Sequence, residues 1–190
     1  KHLRVEGRIF RQLTRLAVLT SIQQSIMNFG ILLVQGRVNY FGTSVMAAFA
    51  AAVKVDTFAY SPVQDFGNAF STFVAQNHGS GDEKRIREGG KTAVFMVLVF
   101  GMAVSLIVAG FAAPLMGIFT KEKEIIEIGV GYLRIEGSFY VLIGFLFLLY
   151  GYFRAIEKPA VSIVLTVISL GTRVAMSYVL SAVPRIGYLG

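Results

Sequence analysis

The fold is decided by an apolar run at residues 93–115, which reads AVFMVLVFGMAVSLIVAGFAAPL and contains no charged side chain. About 20 mostly apolar residues are enough for an α-helix to cross a hydrocarbon core of roughly 30 Å. Comparable stretches lie on both sides of this run. The chain is therefore predicted to be all-α, a polytopic transmembrane helix bundle with five spans at residues 13–36, 44–76, 91–119, 128–152 and 159–183.

The overall composition agrees with a surface that faces lipid. Hydrophobic residues make up 55% of the 190-residue chain, charged residues make up 15%, and the mean hydropathy is +0.65. A typical soluble domain has about 25% charged residues. The lipid bilayer is therefore the first expected partner of this chain.

Enzymatic chemistry has little basis in this sequence. There are no cysteines, and the two histidines, His2 and His78, lie outside the predicted spans. Neither histidine has a carboxylate at the spacing of a metal site. Because no loop is long enough to hold a catalytic domain, we expect neither an enzyme nor a bound cofactor or metal.

The net charge of +7 could indicate nucleic-acid binding, but the distribution of the charges argues against that partner. Eleven basic residues lie on one predicted side of the membrane: Lys1, Arg4, Arg8, Arg11, Arg15, Lys84, Arg85, Arg87, Lys91, Arg154 and Lys158. Only four lie on the other side: Arg37, Lys121, Lys123 and Arg185. The positive-inside rule then predicts a cytoplasmic basic lead-in at residues 1–12 and an external loop at residues 184–190. An odd number of spans and a start without Met suggest a truncated piece of a longer protein.

The loop after the second span contains Gly79-Ser80-Gly81, a glycine-rich sequence of the kind that can hold a phosphate. It follows no strand and lacks a third spaced glycine, so a turn that ends a helix is the better interpretation. Asp82 is predicted to cap a short amphipathic helix that runs to Glu88. We expect the following glycine pair, Gly89-Gly90, to redirect the chain into the third span.

Polar side chains form one stripe on the first span, at helical spacing. They are Ser21, Gln24, Asn28, Gln35 and Asn39. Amides and hydroxyls of this kind can join membrane helices to one another. The stripe is therefore either a wall of a water-filled cavity that binds substrate or a seam between helices.

The second span is the most polar of the five. Its candidate substrate- or ion-binding residues are Lys54, Asp56, Tyr60 and Asp65. A charge at the centre of a membrane costs at least about 2.5–3.5 kcal/mol, which indicates a paired and functional residue. Pro62 is predicted to break the helix, with Gly67 as part of the same hinge.

Two more charged residues, Glu136 and Arg173, are predicted at about the same membrane depth as Lys54 and Asp56. Two cations and two anions could simply neutralise one another. Alternatively, one carboxylate could release a coupling proton when the cavity opens to one side. Both interpretations make Lys54 and Asp56 a charged pair.

Three segments of the chain resemble the multidrug and toxic compound extrusion (MATE) family. They read from Ala47 through Pro62 and Gly67 to Asp82, from Phe119 to Ile135, and from Tyr152 to Pro159. The resemblance implies one lobe of a two-lobed secondary transporter, with helices seven to eleven of twelve. It implies export of organic, often cationic, compounds in exchange for Na⁺ or H⁺, and a missing amino-terminal lobe as partner. The expected location is the plasma (inner) membrane, as a multi-pass protein.

The chain departs from that family pattern at two positions. The first span carries amides where many members have an acid, and Ile143 lies nearest to the aspartate that others carry. An alternative function within the same superfamily is a lipid-linked oligosaccharide flippase with a cationic cavity. Arg37, Lys54 and Arg173 keep that alternative open.

Overall fold

The computed structural model describes residues 7–181, which form seven α-helices and a 3₁₀ turn and contain no strand. The helices are α1 (Gly7–Val38), α2 (Thr43–Ser80), α3 (Glu83–Gly110), α4 (Ala112–Gly117), α5 (Lys123–Gly137), α6 (Tyr140–Ala155) and α7 (Pro159–Ser181). The 3₁₀ turn is Asn39–Phe41. All of the predicted external loop, residues 184–190, and half of the predicted lead-in, residues 1–6, lie outside the described range.

Two of the predicted spans are each built from two helices. The span at 91–119 consists of α3 and α4, and the span at 128–152 consists of α5 and α6. Helices α5 and α6 meet at an angle of 51°. The bend lies at Ser138–Phe139, where the amide nitrogens bond to carbonyl oxygens three residues back, in a tighter turn than the α-helix makes.

The start of α3 differs from its prediction. Asp82 does cap the helix, because its carboxylate accepts a hydrogen bond of 2.9 Å from the Arg85 amide. However, the helix continues without interruption through Gly89 and Gly90, so the predicted change of direction there is wrong. Gly89 instead lies against the Phe73 ring of α2, where a larger side chain would overlap that ring.

Helix α2 is the centre of the bundle and packs against α6 most extensively. Its 38 residues would extend about 57 Å. The two helices run parallel, and they approach closely where Gly67 faces Gly151. A Cβ on Gly67 would lie 3.0 Å from the Phe147 carbonyl oxygen, and one on Gly151 would lie 2.5 Å from the Gly67 carbonyl oxygen. Small residues allow membrane helices to pack at this distance.

Helices α1 and α7 form a second parallel pair. The Gln23 amide of α1 donates a hydrogen bond of 2.9 Å to the Thr166 hydroxyl of α7. Further along the pair, Gly30 lies directly against Leu170. At the start of the pair, Gln12 donates a hydrogen bond to Glu157 in the turn that precedes α7. Few contacts join α1 to α2, and α7 connects this pair to the rest of the bundle by packing against α6.

Three of the described helices are long and apolar enough to cross a membrane, at Gly7–Phe41, Glu83–Gly110 and Pro159–Leu180. Helices α5 and α6 are long and apolar enough only together, and they count as a fourth if the bent pair is one span. Helix α2, which contains the second predicted span at residues 44–76, is long enough but does not reach the same apolar content. Its neighbours cover much of its surface, so a less apolar helix can occupy this place in a membrane bundle.

Candidate functional site

The buried acid of the bundle is Asp56, whose side chain and backbone are 5% exposed. It lies on the face of α2 that packs against α5 and α6. The hydroxyl of Tyr140, in the first turn of α6, donates a hydrogen bond to its carboxylate. Since Tyr140 itself is 2% exposed, this contact is enclosed by the bundle.

An ion pair lies beside this contact and joins α5 to α7. The Arg173 guanidinium is 3.5 Å from the Glu136 carboxylate, and the Glu136 side chain is 23% exposed. The same guanidinium donates to the Tyr132 hydroxyl at 3.5 Å. Tyr132 and Asp56 line the same small cavity, so Tyr132 lies between the buried acid and the ion pair. Asp56, Tyr132, Glu136, Tyr140 and Arg173 are named the acid cluster below.

A small cavity opens at the acid cluster, with a volume of about 70 Å³. Asp56, Glu136 and Arg173 line its polar side, and Tyr60 and Phe49 are among the residues of its apolar side. A water molecule takes about 30 Å³ in the liquid, so this space holds about two waters or one small cation, but no drug-sized compound. Within residues 7–181 no cluster of three or more metal-binding side chains occurs.

The charges of the acid cluster do not balance when both acids are ionised. Two carboxylates then face one guanidinium, and Tyr132 and Tyr140 supply hydroxyl groups without charge. An uncompensated charge within a membrane is costly. The arrangement can therefore take up one proton or one monovalent cation to reach neutrality.

The structure separates Lys54 from Asp56, so the expectation that they form a charged pair is wrong. Positions two residues apart on a helix point to different sides. Lys54 is exposed, and its ammonium lies 5.9 Å from the centre of the Phe119 ring. The cation that accompanies the acids is instead Arg173.

The other predicted residues of α2 lie at different depths of the bundle. Tyr60 is half-buried, and its ring centre is 6.2 Å from that of Phe147. Asp65 is exposed and lies away from the acid cluster. The predicted break at Pro62 is absent, because α2 runs through this residue as one helix. The predicted hinge at Gly67 is not needed either, since the tight contact with α6 is sufficient to explain a glycine there.

The polar stripe of α1 remains on the surface of this bundle. Gln24, Asn28 and Gln35 are exposed, and none of them forms the contact with α7. That contact belongs to Gln23, which is half-buried and bonded to Thr166.

Sequence reasoning missed the two tyrosines of the acid cluster. Tyr132 and Tyr140 were available as the tyrosines nearest to Glu136, four positions away on each side. A buried tyrosine needs a partner for its hydroxyl, which is a signal that can be read without a structure. Sequence reasoning also missed a contact at the other end of α6. There Arg154 donates a 2.8 Å hydrogen bond to the Asn68 amide oxygen.

Comparisons with known proteins agree with this architecture. The MatE family profile matches residues 17–179. The probable multidrug resistance protein YoeA of Bacillus subtilis is 23% identical over 191 residues, which cover 100% of this chain and 41% of that protein. A protein of Shewanella oneidensis named FAD transporter is 24% identical over 127 residues, covering 67% of this chain and 28% of its own length.

A solved structure has the same fold. A crystal structure of MATE in complex with MaD5 superposes with a TM-score of 0.88 at 18% identity, over 100% of this chain and 43% of that one. The prediction of an all-α lobe of a two-lobed transporter fold is confirmed. The chain spans less than half the length of the proteins that it matches.

Proposed function

This chain belongs to the MatE family, and we propose that it forms the carboxy-terminal lobe, helices seven to eleven of twelve, of a secondary antiporter. The predictions of a multi-pass membrane protein of a transporter family, rather than an enzyme, are confirmed at that level by the family and its relatives. The proposed activity is export of organic, often cationic, compounds in exchange for Na⁺ or H⁺. The proposed location is the plasma (inner) membrane, with residues 1–12 in the cytoplasm.

The observation that carries this proposal is the charge imbalance of the acid cluster. A site with one uncompensated negative charge binds a proton or Na⁺ when it is open to the side where that ion is abundant. Releasing the ion on the other side then restores the charge. Because Asp56, Glu136 and Arg173 lie on three different helices, a change in helix packing alters the distances between their charges. Such a change links ion binding to the conformation of the lobe.

The substrate path requires more space than this lobe provides at the acid cluster. A cavity of about 70 Å³ is smaller than the roughly 300–1,000 Å³ of sites for drug-sized ligands. We therefore place the substrate between this lobe and the missing amino-terminal lobe, along the polar stripe of α1. Gln24, Asn28 and Gln35 offer neutral hydrogen bonds there, and the exposed carboxylate of Asp65 offers a negative charge.

The flippase alternative has less support. It requires cations that converge on one cavity. Arg37 contacts the rings of Tyr40, Phe41 and Tyr178, Lys54 lies over Phe119, and Arg173 is paired with Glu136. The name of the FAD transporter indicates that a member of this family can also carry an anionic substrate. The charge of the substrate is therefore a separate question from the coupling ion.

The test is dye efflux by the full-length protein in energised vesicles. We expect efflux to collapse when an ionophore dissipates the ion gradient, and to persist when ATP is removed while the gradient is held. Asp56→Asn should abolish uphill transport while the protein still reaches the membrane. Glu127→Gln is a matched control, because Glu127 is an exposed acid of α5 outside the acid cluster. Efflux that survives loss of the gradient but stops without ATP would exclude the proposal.

A further inference from the structure

A second, larger cavity lies far from the acid cluster, at the membrane border where α1 and α7 begin. Its volume is about 730 Å³. Two arginines and six uncharged residues line it: Arg11, Arg15, Gly7, Phe10, Thr14, Val18, Leu19 and Ala160. This cavity is named the border groove below.

The basic groups of the border groove have no acidic counterpart in it. Arg11 and Arg15 are four residues apart on α1, so their side chains lie on one face of the helix. Between residues 7 and 181, the close contacts of an acid with a basic side chain are His78–Glu83 and Arg173–Glu136, and neither involves these arginines. The nearest acid in the turn before α7, Glu157, accepts a hydrogen bond from Gln12 and is not part of the groove lining.

Two apolar residues of the groove, Val18 and Leu19, follow the arginines along α1, and Phe10 precedes Arg11. Phe10 is 62% exposed and Val18 is 51% exposed, which is unusual for large apolar groups unless they face lipid or another partner. From Arg11 to Val18 the helix rises about 10 Å. The groove therefore has positive charge at the membrane border and apolar surface deeper in the membrane.

We propose that the border groove binds an anionic phospholipid, with its phosphate between Arg11 and Arg15 and one acyl chain along Val18 and Leu19. Guanidinium groups form paired hydrogen bonds with phosphate oxygens. Basic pockets between membrane helices are known to hold anionic headgroups. The volume is of the size of a ligand site, and the order of charge and apolar surface matches the order of headgroup and chain in a lipid. This site requires neither the acid cluster nor any transport activity.

The experiment is native mass spectrometry of the full-length protein in detergent, titrated with phosphatidylglycerol or phosphatidylethanolamine. We expect the double variant Arg11→Gln/Arg15→Gln to bind at least five-fold less phosphatidylglycerol and an unchanged amount of phosphatidylethanolamine. The control variant Arg85→Gln/Arg87→Gln removes two exposed arginines from α3 and should bind both lipids as the unchanged protein does. Equal loss in both double variants would mean a general effect of charge, and it would overturn the proposal.

A second measurement distinguishes the loss of lipid binding from misfolding of the variant. The melting temperature of the unchanged protein should rise on addition of phosphatidylglycerol, and the glutamine double variant should lose that rise. The variant Arg11→Lys/Arg15→Lys keeps both positive charges and should retain part of the rise in melting temperature. If the groove is instead covered by another segment of the full-length protein, phosphatidylglycerol should bind equally to all variants. That result would also overturn the proposal.

Discussion

The Tyr140 hydroxyl donates a hydrogen bond to the Asp56 carboxylate, and this contact joins residues 84 positions apart in the sequence. It places the beginning of α6 beside the first half of α2. Gly67 and Gly151 meet in the same parallel register further along both helices. The carboxylate of Asp56 thus has a hydrogen-bond donor within a tightly packed helix pair. Because that donor is a neutral hydroxyl, it does not neutralise the negative charge of the carboxylate.

Tyr140→Phe should destabilise the protein, because it leaves the buried carboxylate without its donor. The loss of a partner by a buried polar group costs about 1–3 kcal/mol. Asp56→Asn combined with Tyr140→Phe should cost less than the sum of the two single changes. The melting temperature of the full-length protein in detergent measures this. Lys54→Met should leave that temperature nearly unchanged. A large decrease would indicate that Lys54 is the charged partner of Asp56 after all.

The Glu136–Arg173 pair should show coupling in a double-mutant cycle. Each single change, Glu136→Gln or Arg173→Gln, leaves one charge without its partner, whereas the double change removes both. Residues in contact commonly show interaction energies of about 0.5–3 kcal/mol. Since the Arg173 side chain is 46% exposed, we expect a value at the lower end. Additive effects of the two changes would mean that the pair does not contribute to folding.

Gly67→Ala and Gly151→Ala should each lower stability by about 1–3 kcal/mol, because the added methyl group overpacks the contact between α2 and α6. Gly90→Ala is the matched control, since no atom lies within 4 Å of a Cβ at that helical position. It should be neutral or slightly stabilising. If Gly67 acts as a hinge, its alanine variant should instead keep its melting temperature and transport more slowly.

The polar stripe of α1 should react with water-soluble thiol reagents when cysteines replace Gln24, Asn28 and Gln35. Substrate should protect these positions. Cysteines at Ile22, Ile26 and Leu33 should not react, because lipid covers them in the membrane. A cysteine at Gln23 should also stay unreacted, since that position is packed against Thr166. If none of the stripe positions reacts, the stripe is a helix seam in the full-length protein.

The orientation of the lobe is tested with single cysteines at Ser80 and Lys121. The strong excess of basic residues on one side predicts a cytoplasmic turn after α2 and an external turn before α5. An impermeant maleimide applied to intact cells should label position 121 and not position 80. The reverse pattern would overturn the orientation and, with it, the cytoplasmic start.

The sequence predicts that the apolar runs are helical, but it predicts the interruptions of these helices poorly, for a physical reason. An apolar run such as residues 93–115 reports how the chain partitions into lipid, and lipid exposure continues across a bend. Neither Ser138 nor Phe139 interrupts the apolar character of residues 128–152, so the break between α5 and α6 left no signal. The glycine pair at 89–90 gave the opposite error, because two flexible residues suggest a turn even inside a regular helix.

The candidate site was predicted in part. The membrane depth of Asp56, Glu136 and Arg173 could be estimated by counting residues along their helices. The structure does bring these three side chains to one cavity. The position of Lys54 could not be judged by depth, because direction around the helix decides which charges meet. The parallel packing of α1 with α7 and of α2 with α6 depends on contacts between distant residues, which a single sequence does not report.

The pairing of α1 with α7 has a consequence for how this protein is made. Gln23 bonds to Thr166, which follows it by 143 positions. A ribosome adds about 5–20 residues per second, so Thr166 is synthesised roughly 7–30 s after Gln23. Throughout that interval the carboxamide lacks its final partner, and hydrocarbon offers it none. Biogenesis of this lobe therefore includes a waiting period, and a nascent chain stalled before residue 159 leaves α1 without its neighbour.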